Sequence, residues 1–237
     1  MKTLADTHVV LFDIDGTLVS SQKSELDERR RYTETILEVT GIEPQVDPSR
    51  FAGMVDPQIC KIILTETGIG GTELEIYLPK VLARMALKYK EMPKKVRLNH
   101  GVKDLLEVVS HSTSHILGVL TGNLASIGQE KLAAAGISQY FKEGFYADNY
   151  EDRNRLVEDA VRTCVSRYTL KNSRDVIIIG DTPLDVKAAK TASATPIGVA
   201  SGVFSMRSLS ISGAAMTFPD LTPSKELLSS LSFQNLC

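Results

Sequence analysis

The sequence predicts an α/β protein: a Rossmann-like parallel sheet with helices on both faces, plus a small α-helical cap domain inserted after the first strand. Three observations carry this. Short, continuously apolar, β-branched runs recur along the chain, as expected of strands buried on both faces. Helix-length stretches of mixed polarity separate them, the alternation of a βα repeat. After the first strand, this alternation gives way to helical patterns alone.

Taken in order, Val9–Phe12 is short, β-branched and aromatic, and ends at Asp13-Ile14-Asp15-Gly16, a buried strand entering a turn. Residues from about Ser20 to Val96 follow with helical patterns at Leu26–Val39, Pro57–Thr67 and Thr72–Glu91. Gly68-Ile69-Gly70-Gly71 marks a turn between two of these helices. The flanks near Thr17–Ser21 and Arg97–Gly101 are the expected hinges. Ile116–Leu120 and Val176–Ile179 are the next strong strands, with weaker ones at Gly144–Ala147, Pro196–Val199 and Ala214–Phe218. Helices are expected at 124–135, 153–168, 184–191 and 225–231, and Ser205–Ser212 reads as a surface helix or loop. The domain expectation is therefore an α/β catalytic core of residues 1–19 and 97–237, and a helical cap of residues 20–96.

Composition narrows the class. The chain has 237 residues, 43% hydrophobic and 24% charged, with a formal net charge of −2, ordinary for a globular protein. Near-neutral charge gives no electrostatic footprint for a nucleic-acid partner. No apolar run approaches the roughly 20 residues needed to span a bilayer, and Met1–His8 has no apolar signal core. Cys60, Cys164 and Cys237 are scattered without metal-like spacing, which suits free thiols in a reducing compartment. A cytoplasmic protein without a membrane or nucleic-acid partner is the expectation; oligomeric state stays open.

Asp13-Ile14-Asp15-Gly16-Thr17 is the sharpest chemical feature. Two carboxylates one residue apart project to the same side of a strand. Like charges about 4 Å apart cost roughly 4 kcal/mol at an effective dielectric near 20. A hard divalent cation such as Mg²⁺ compensates such charge and bridges to phosphate. A simple polar turn is the alternative. A calcium loop is excluded, because its sixth and twelfth positions would be Leu18 and Ser24. Thr121-Gly122-Asn123 ends the second strong strand, where a hydroxyl and free N–H groups suit a phosphate or simple capping. Asp181 ends the third, with Asp185 opening the next helix. Asp181 can complete an oxygen cage; Asp185 can ligate, support, or only offset the helix dipole. Arg153 precedes the helix before that strand and can offset phosphate charge.

This ordered set, with Gly180-Asp181-Thr182-Pro183-Leu184-Asp185 as its last member, resembles the haloacid dehalogenase-like hydrolase superfamily, most of all its phosphoglycolate phosphatase-like and β-phosphoglucomutase-like branch. The resemblance implies a magnesium-dependent phosphatase acting on a small phosphorylated metabolite, phosphoglycolate-like or a sugar phosphate. Asp13 would be the nucleophile and form an aspartyl-phosphate, Asp15 the general acid and base, and Thr121 a phosphoryl ligand helped by Gly122 and Asn123. Asp13, the Asp15 carbonyl and Asp181, with Asp185, would surround Mg²⁺. The branch usually has Lys-Pro at its third motif, whereas this chain reads Glu151-Asp152-Arg153-Asn154-Arg155. Arg153 keeps the charge and can bind phosphate bidentately, with Arg155 and Lys142 as competing choices. Arg50 and Met54, just before a predicted helix, are candidate substrate contacts from the cap. His8, His100, His111 and His115 show no catalytic pattern.

Competing readings share parts of this set. A phosphomutase would share the nucleophile, though Thr17 looks more like the phosphatases. A dehalogenase would leave Asp15 and Asp181 without evident purpose. A phosphorylated receiver domain has no counterpart to the helical insertion.

Overall fold

The computed structural model describes residues 7–20, 25–91 and 96–231. Ser21 of the first expected hinge, the Met1–Asp6 segment and Cys237 lie outside these residues.

Six parallel strands form one sheet: β1 (His8–Phe12), β2 (His115–Leu120), β3 (Glu143–Phe145), β4 (Val176–Gly180), β5 (Thr195–Val199) and β6 (Met216–Phe218), in the order β3-β2-β1-β4-β5-β6. The order reverses on either side of β1, so β1, β2 and β4 lie together at the sheet centre. Ligands of open parallel sheets sit at such a switch point, beyond the carboxyl ends of the strands. The α/β Rossmann-like fold expected from the sequence is the fold observed.

The continuous apolar runs are explained by two-sided burial. In β1, Val10 and Phe12 join an apolar cluster with Leu105, Leu106 and Val109, while Val9 and Leu11 join another with Leu156, Val157 and Val161. Helices α4 (Val102–Ser110), α5 (Ala125–Ala134), α6 (Arg153–Arg167), α7 (Pro183–Thr191), α8 (Met206–Ile211) and α9 (Lys225–Ser230) cover the sheet. The α4 helix was not anticipated: only nine residues long, it directly follows the expected hinge and opens at Gly101 in a left-handed conformation, φ 77°.

Between β1 and β2 lie α1 (Glu25–Thr40), α2 (Asp56–Glu66) and α3 (Gly71–Glu91), close to the expected ranges. They build a third apolar cluster around Tyr32, Ile36, Ile63, Leu64, Val81 and Met85, which extends to Leu124 and Ile127 next to the sheet. The two connecting passes run side by side: Ser20 N–H donates to the Arg97 carbonyl at 2.8 Å, and Asn99 N–H to that of Leu18 at 3.0 Å. Asn99 Nδ2 also donates to the carbonyls of Gly16 and Thr17 at 2.8 and 3.0 Å. No helix among the described residues is long and apolar enough to cross a membrane.

Candidate active site

Asp13 follows β1 directly, and its N–H donates to the Ile179 carbonyl of β4 at 2.9 Å. That bond extends the ladder by one residue and leaves the carboxylate at the strand's end. Asp181 follows β4 in the same way. One turn into α7, Asp185 completes a capping box: its Oδ2 accepts from Thr182 N–H at 2.9 Å and from the Thr182 hydroxyl at 2.8 Å. Oxygens of Asp13, Asp181 and Asp185 lie within 4.8 Å of one another, and all three residues are buried.

One guanidinium enters this cluster. Arg153 Nη2 donates to Asp13 Oδ1 at 3.1 Å and also contacts Asp185 Oδ1. Its Nη1 donates to the Gly53 carbonyl at 3.3 Å. Of the three basic candidates, the structure thus brings Arg153 to Asp13, whereas Arg155 pairs with Glu158 on the surface and Lys142 lies in the β2–β3 connection. Three buried carboxylates against one cation leave an excess of negative charge. Burial, opposed by Arg153, pushes the Asp13 carboxyl up to about 7. Burial, reinforced by Asp185 and Asp13, holds Asp181 well above the usual carboxylate range. For Arg153, burial alone would lower the pKa, but Asp185 and Asp13 raise it. A hard divalent cation among oxygen donors relieves this excess, and Mg²⁺ fits the donor set.

Asp15 lies in different company. Its Oδ2 accepts from Lys131 Nζ at 2.6 Å and Asn123 Nδ2 at 2.7 Å. Burial would raise its pKa; the Lys131 charge and the two hydrogen bonds outweigh that and hold it below the ordinary value. Asn123 Nδ2 also donates to Thr121 Oγ1 at 2.7 Å, so Thr121, Asn123, Asp15 and Lys131 form one connected polar network. Gly16, with φ +79°, turns the chain after Asp15; a Cβ there would stand 2.2 Å from Asp181 Oδ2.

The segment before α2 closes over these groups. Asp56 N–H donates to the Gly122 carbonyl at 2.7 Å, and a Cβ on Gly122 would stand 2.3 Å from the Met54 carbonyl oxygen. Met54 lines the resulting cavity of about 250 Å³. Arg50 does not: it is exposed and forms a two-pronged pair with Glu66 on the outer surface, at 2.6 and 3.3 Å. The structure therefore does not bring Arg50, expected at the site from the sequence, to the cavity. Arg31 of α1 lines the cavity instead, paired with Asp56 at 2.9 Å. Arg31 and Lys131 gave no local signal, the first hidden in an Arg29-Arg30-Arg31 run that reads as a solvated face, the second in an ordinary helix. The histidines stay away from the site: His8 and His115 stack at the opposite end of β1 and β2. Cys60 and Cys164 are free and buried, and burial raises both thiols, Cys164 to about 12.

A family model described as haloacid dehalogenase-like hydrolase matches residues 10–199. The chain belongs to this family. Solved structures similar to this haloacid dehalogenase-like hydrolase include a β-phosphoglucomutase from Clostridium difficile, 14% identical with a TM-score of 0.71, covering 96% of this chain and 98% of the other. A predicted phosphoglycolate phosphatase from Haemophilus somnus 129pt is 19% identical with a TM-score of 0.67, covering 94% and 97%. A predicted phosphatase from Clostridium acetobutylicum is 22% identical with a TM-score of 0.65, covering 89% and 93%. At these identities the likeness is one of fold. No curated protein matches the hydrolase by sequence.

Proposed function

We propose that this hydrolase is a magnesium-dependent phosphatase that removes the phosphoryl group of a small phosphorylated metabolite through an aspartyl-phosphate at Asp13. The observation that carries the reading is the convergence of Asp13, Asp181 and Asp185 within 4.8 Å at the switch point, with Arg153 on Asp13.

In the first step an Asp13 carboxylate oxygen attacks phosphorus, and the bond from phosphorus to the alcohol oxygen breaks. Asp15 supplies the leaving oxygen with a proton taken up with the substrate. In the second step Asp15 removes a proton from water, which attacks phosphorus and releases Asp13. Lys131 and Asn123 favour the ionised form of Asp15, the form this second step uses. Thr121 and the N–H groups of Gly122 and Asn123 orient the phosphoryl oxygens. Arg153 offsets charge as an anion approaches an anionic nucleophile, the electrostatic task that dominates phosphoryl transfer. Mg²⁺, held by Asp13, the Asp15 carbonyl and Asp181, would supply further neutralisation of the phosphate. Asp185, with both oxygens turned to Thr182 and Arg153, supports the cluster from behind.

Residues 1–19 and 97–237 act as the catalytic core in this reading, and residues 20–96 as a cap that excludes water. The test is Mg²⁺-dependent release of phosphate from 4-nitrophenyl phosphate. Loss of that release in a folded Asp13→Asn variant supports the assignment; undiminished release removes it.

A further inference from the structure

The cavity above Asp13 has two unlike halves. Its floor is the polar strand-end set, whereas Phe51, Met54 and Ile59, from the segment between β1 and β2, contribute an apolar upper wall and Val203, after β5, an apolar edge. Among the described lining residues, the only cation of that upper half is Arg31, and its charge is already matched. Arg31 Nη2 lies 2.9 Å from Asp56 Oδ1, and both side chains are only 4% exposed. Asp56 also accepts from the Tyr32 hydroxyl at 2.7 Å and from Leu124 N–H at 2.9 Å. Arg31 Nη1 donates to Asn123 Oδ1 at 3.4 Å. The pair is thus locked between α1, α2 and the β2–α5 turn. A second anionic group that met Arg31 would have to share the guanidinium with Asp56 and lie beside that buried carboxylate, an unfavourable like-charge approach. Arg153, the other cation that lines the cavity, sits on Asp13 and Asp185, where the phosphoryl group arrives, and Lys131, outside the lining, is paired with Asp15.

We infer that the site selects phosphate monoesters whose alcohol is uncharged and largely apolar, and that the Arg31–Asp56 pair discriminates against esters carrying a second anion. The cavity of about 250 Å³ must hold the phosphoryl group as well, which suits a small alcohol such as a single ring or a short branched chain. Specificity arises here as much from what is refused as from what is gripped: a carboxylate meets no unmatched cation, while a hydrocarbon gains by leaving water. The inference rests on the phosphatase reading and narrows it, away from phosphoglycolate-like esters and bisphosphates.

The experiment measures kcat/KM of the full chain with Mg²⁺ for benzyl phosphate, butyl phosphate, 2-phosphoglycolate and glucose 6-phosphate. All four release alkoxides, so differences report binding of the alcohol more than leaving ability. Benzyl phosphate is expected to exceed 2-phosphoglycolate by at least about tenfold, with uncharged but polar glucose 6-phosphate between them. Asp56→Asn releases the Arg31 charge and should narrow the ratio. Met54→Lys, which adds an unmatched cation to the upper wall without touching the buried pair, should narrow it as well. Equal or better turnover of 2-phosphoglycolate by the wild-type protein overturns the inference, as does an unchanged ratio in folded Met54→Lys. Failure to hydrolyse any of the four esters, or 4-nitrophenyl phosphate, overturns the phosphatase reading itself.

Discussion

Replacing Arg153 by Met removes the one guanidinium shared by Asp13 and Asp185 and leaves their carboxylates buried beside Asp181. Arg153, Asp13 and Asp185 side chains are 6%, 8% and 1% exposed, so solvent screens little. Breaking one partner of a buried pair costs about 3–5 kcal/mol, and for a chain of this size each kcal/mol shifts Tm by roughly 2 °C or more. The expected loss in metal-free protein at pH 8 is therefore at least about 6–10 °C by differential scanning calorimetry. Without Arg153 the Asp13 carboxyl rises beyond the wild-type value of about 7, so at pH 5.5 it is protonated in both proteins and the loss should shrink there. Saturating Mg²⁺ at pH 8 should restore part of it by supplying positive charge to the same carboxylates. Arg153→Lys keeps the charge but cannot reach both partners with a planar fork, and should fall between the two. A variant that melts with the wild type at pH 8 would refute the view that this cluster depends on cationic compensation.

Further outcomes follow from the same geometry. The raised Asp13 and Asp181 carboxyls mean that the folded metal-free protein holds protons the unfolded chain has released; their contribution to stability should fall as pH rises from about 4 towards 7. His115, which burial pushes down to about 4, contributes in the opposite direction, so the fall is read as the difference between the wild type and Asp13→Asn. Because Mg²⁺ needs those carboxylates ionised, the Tm gain on adding it should grow between pH 6 and pH 8. Gly122→Ala places a Cβ 2.3 Å from the Met54 carbonyl oxygen and should loosen the Asp56–Gly122 backbone bond, which is expected to raise KM in steady-state kinetics and to lower Tm. Lys131→Met removes the charge that depresses Asp15; the acid limb of the rate–pH profile should move to higher pH, and Lys131→Arg should move it back.

The central strands β1, β2 and β4 were legible because burial on both faces writes a nearly unbroken apolar run, and Asp13, Thr121 and Asp181 were legible because each directly follows such a strand. What the sequence hid is long-range. Arg31 meets Asp56 across 25 residues and Lys131 meets Asp15 across 116, and no local period reports such partners. For Arg50, a cation before a helix suggested a ligand contact, whereas the structure pairs it with Glu66 on the outer face, a partner 16 residues away. The α4 helix escaped because its apolar residues follow directly on a segment read as a hinge.

The central claim is a covalent phosphoryl group on Asp13. Substrate turned over with Mg²⁺, quenched in acid and treated with borohydride should yield homoserine at position 13, located by peptide mass spectrometry. Reduction at another carboxylate, or none at any residue while turnover proceeds, would contradict the account.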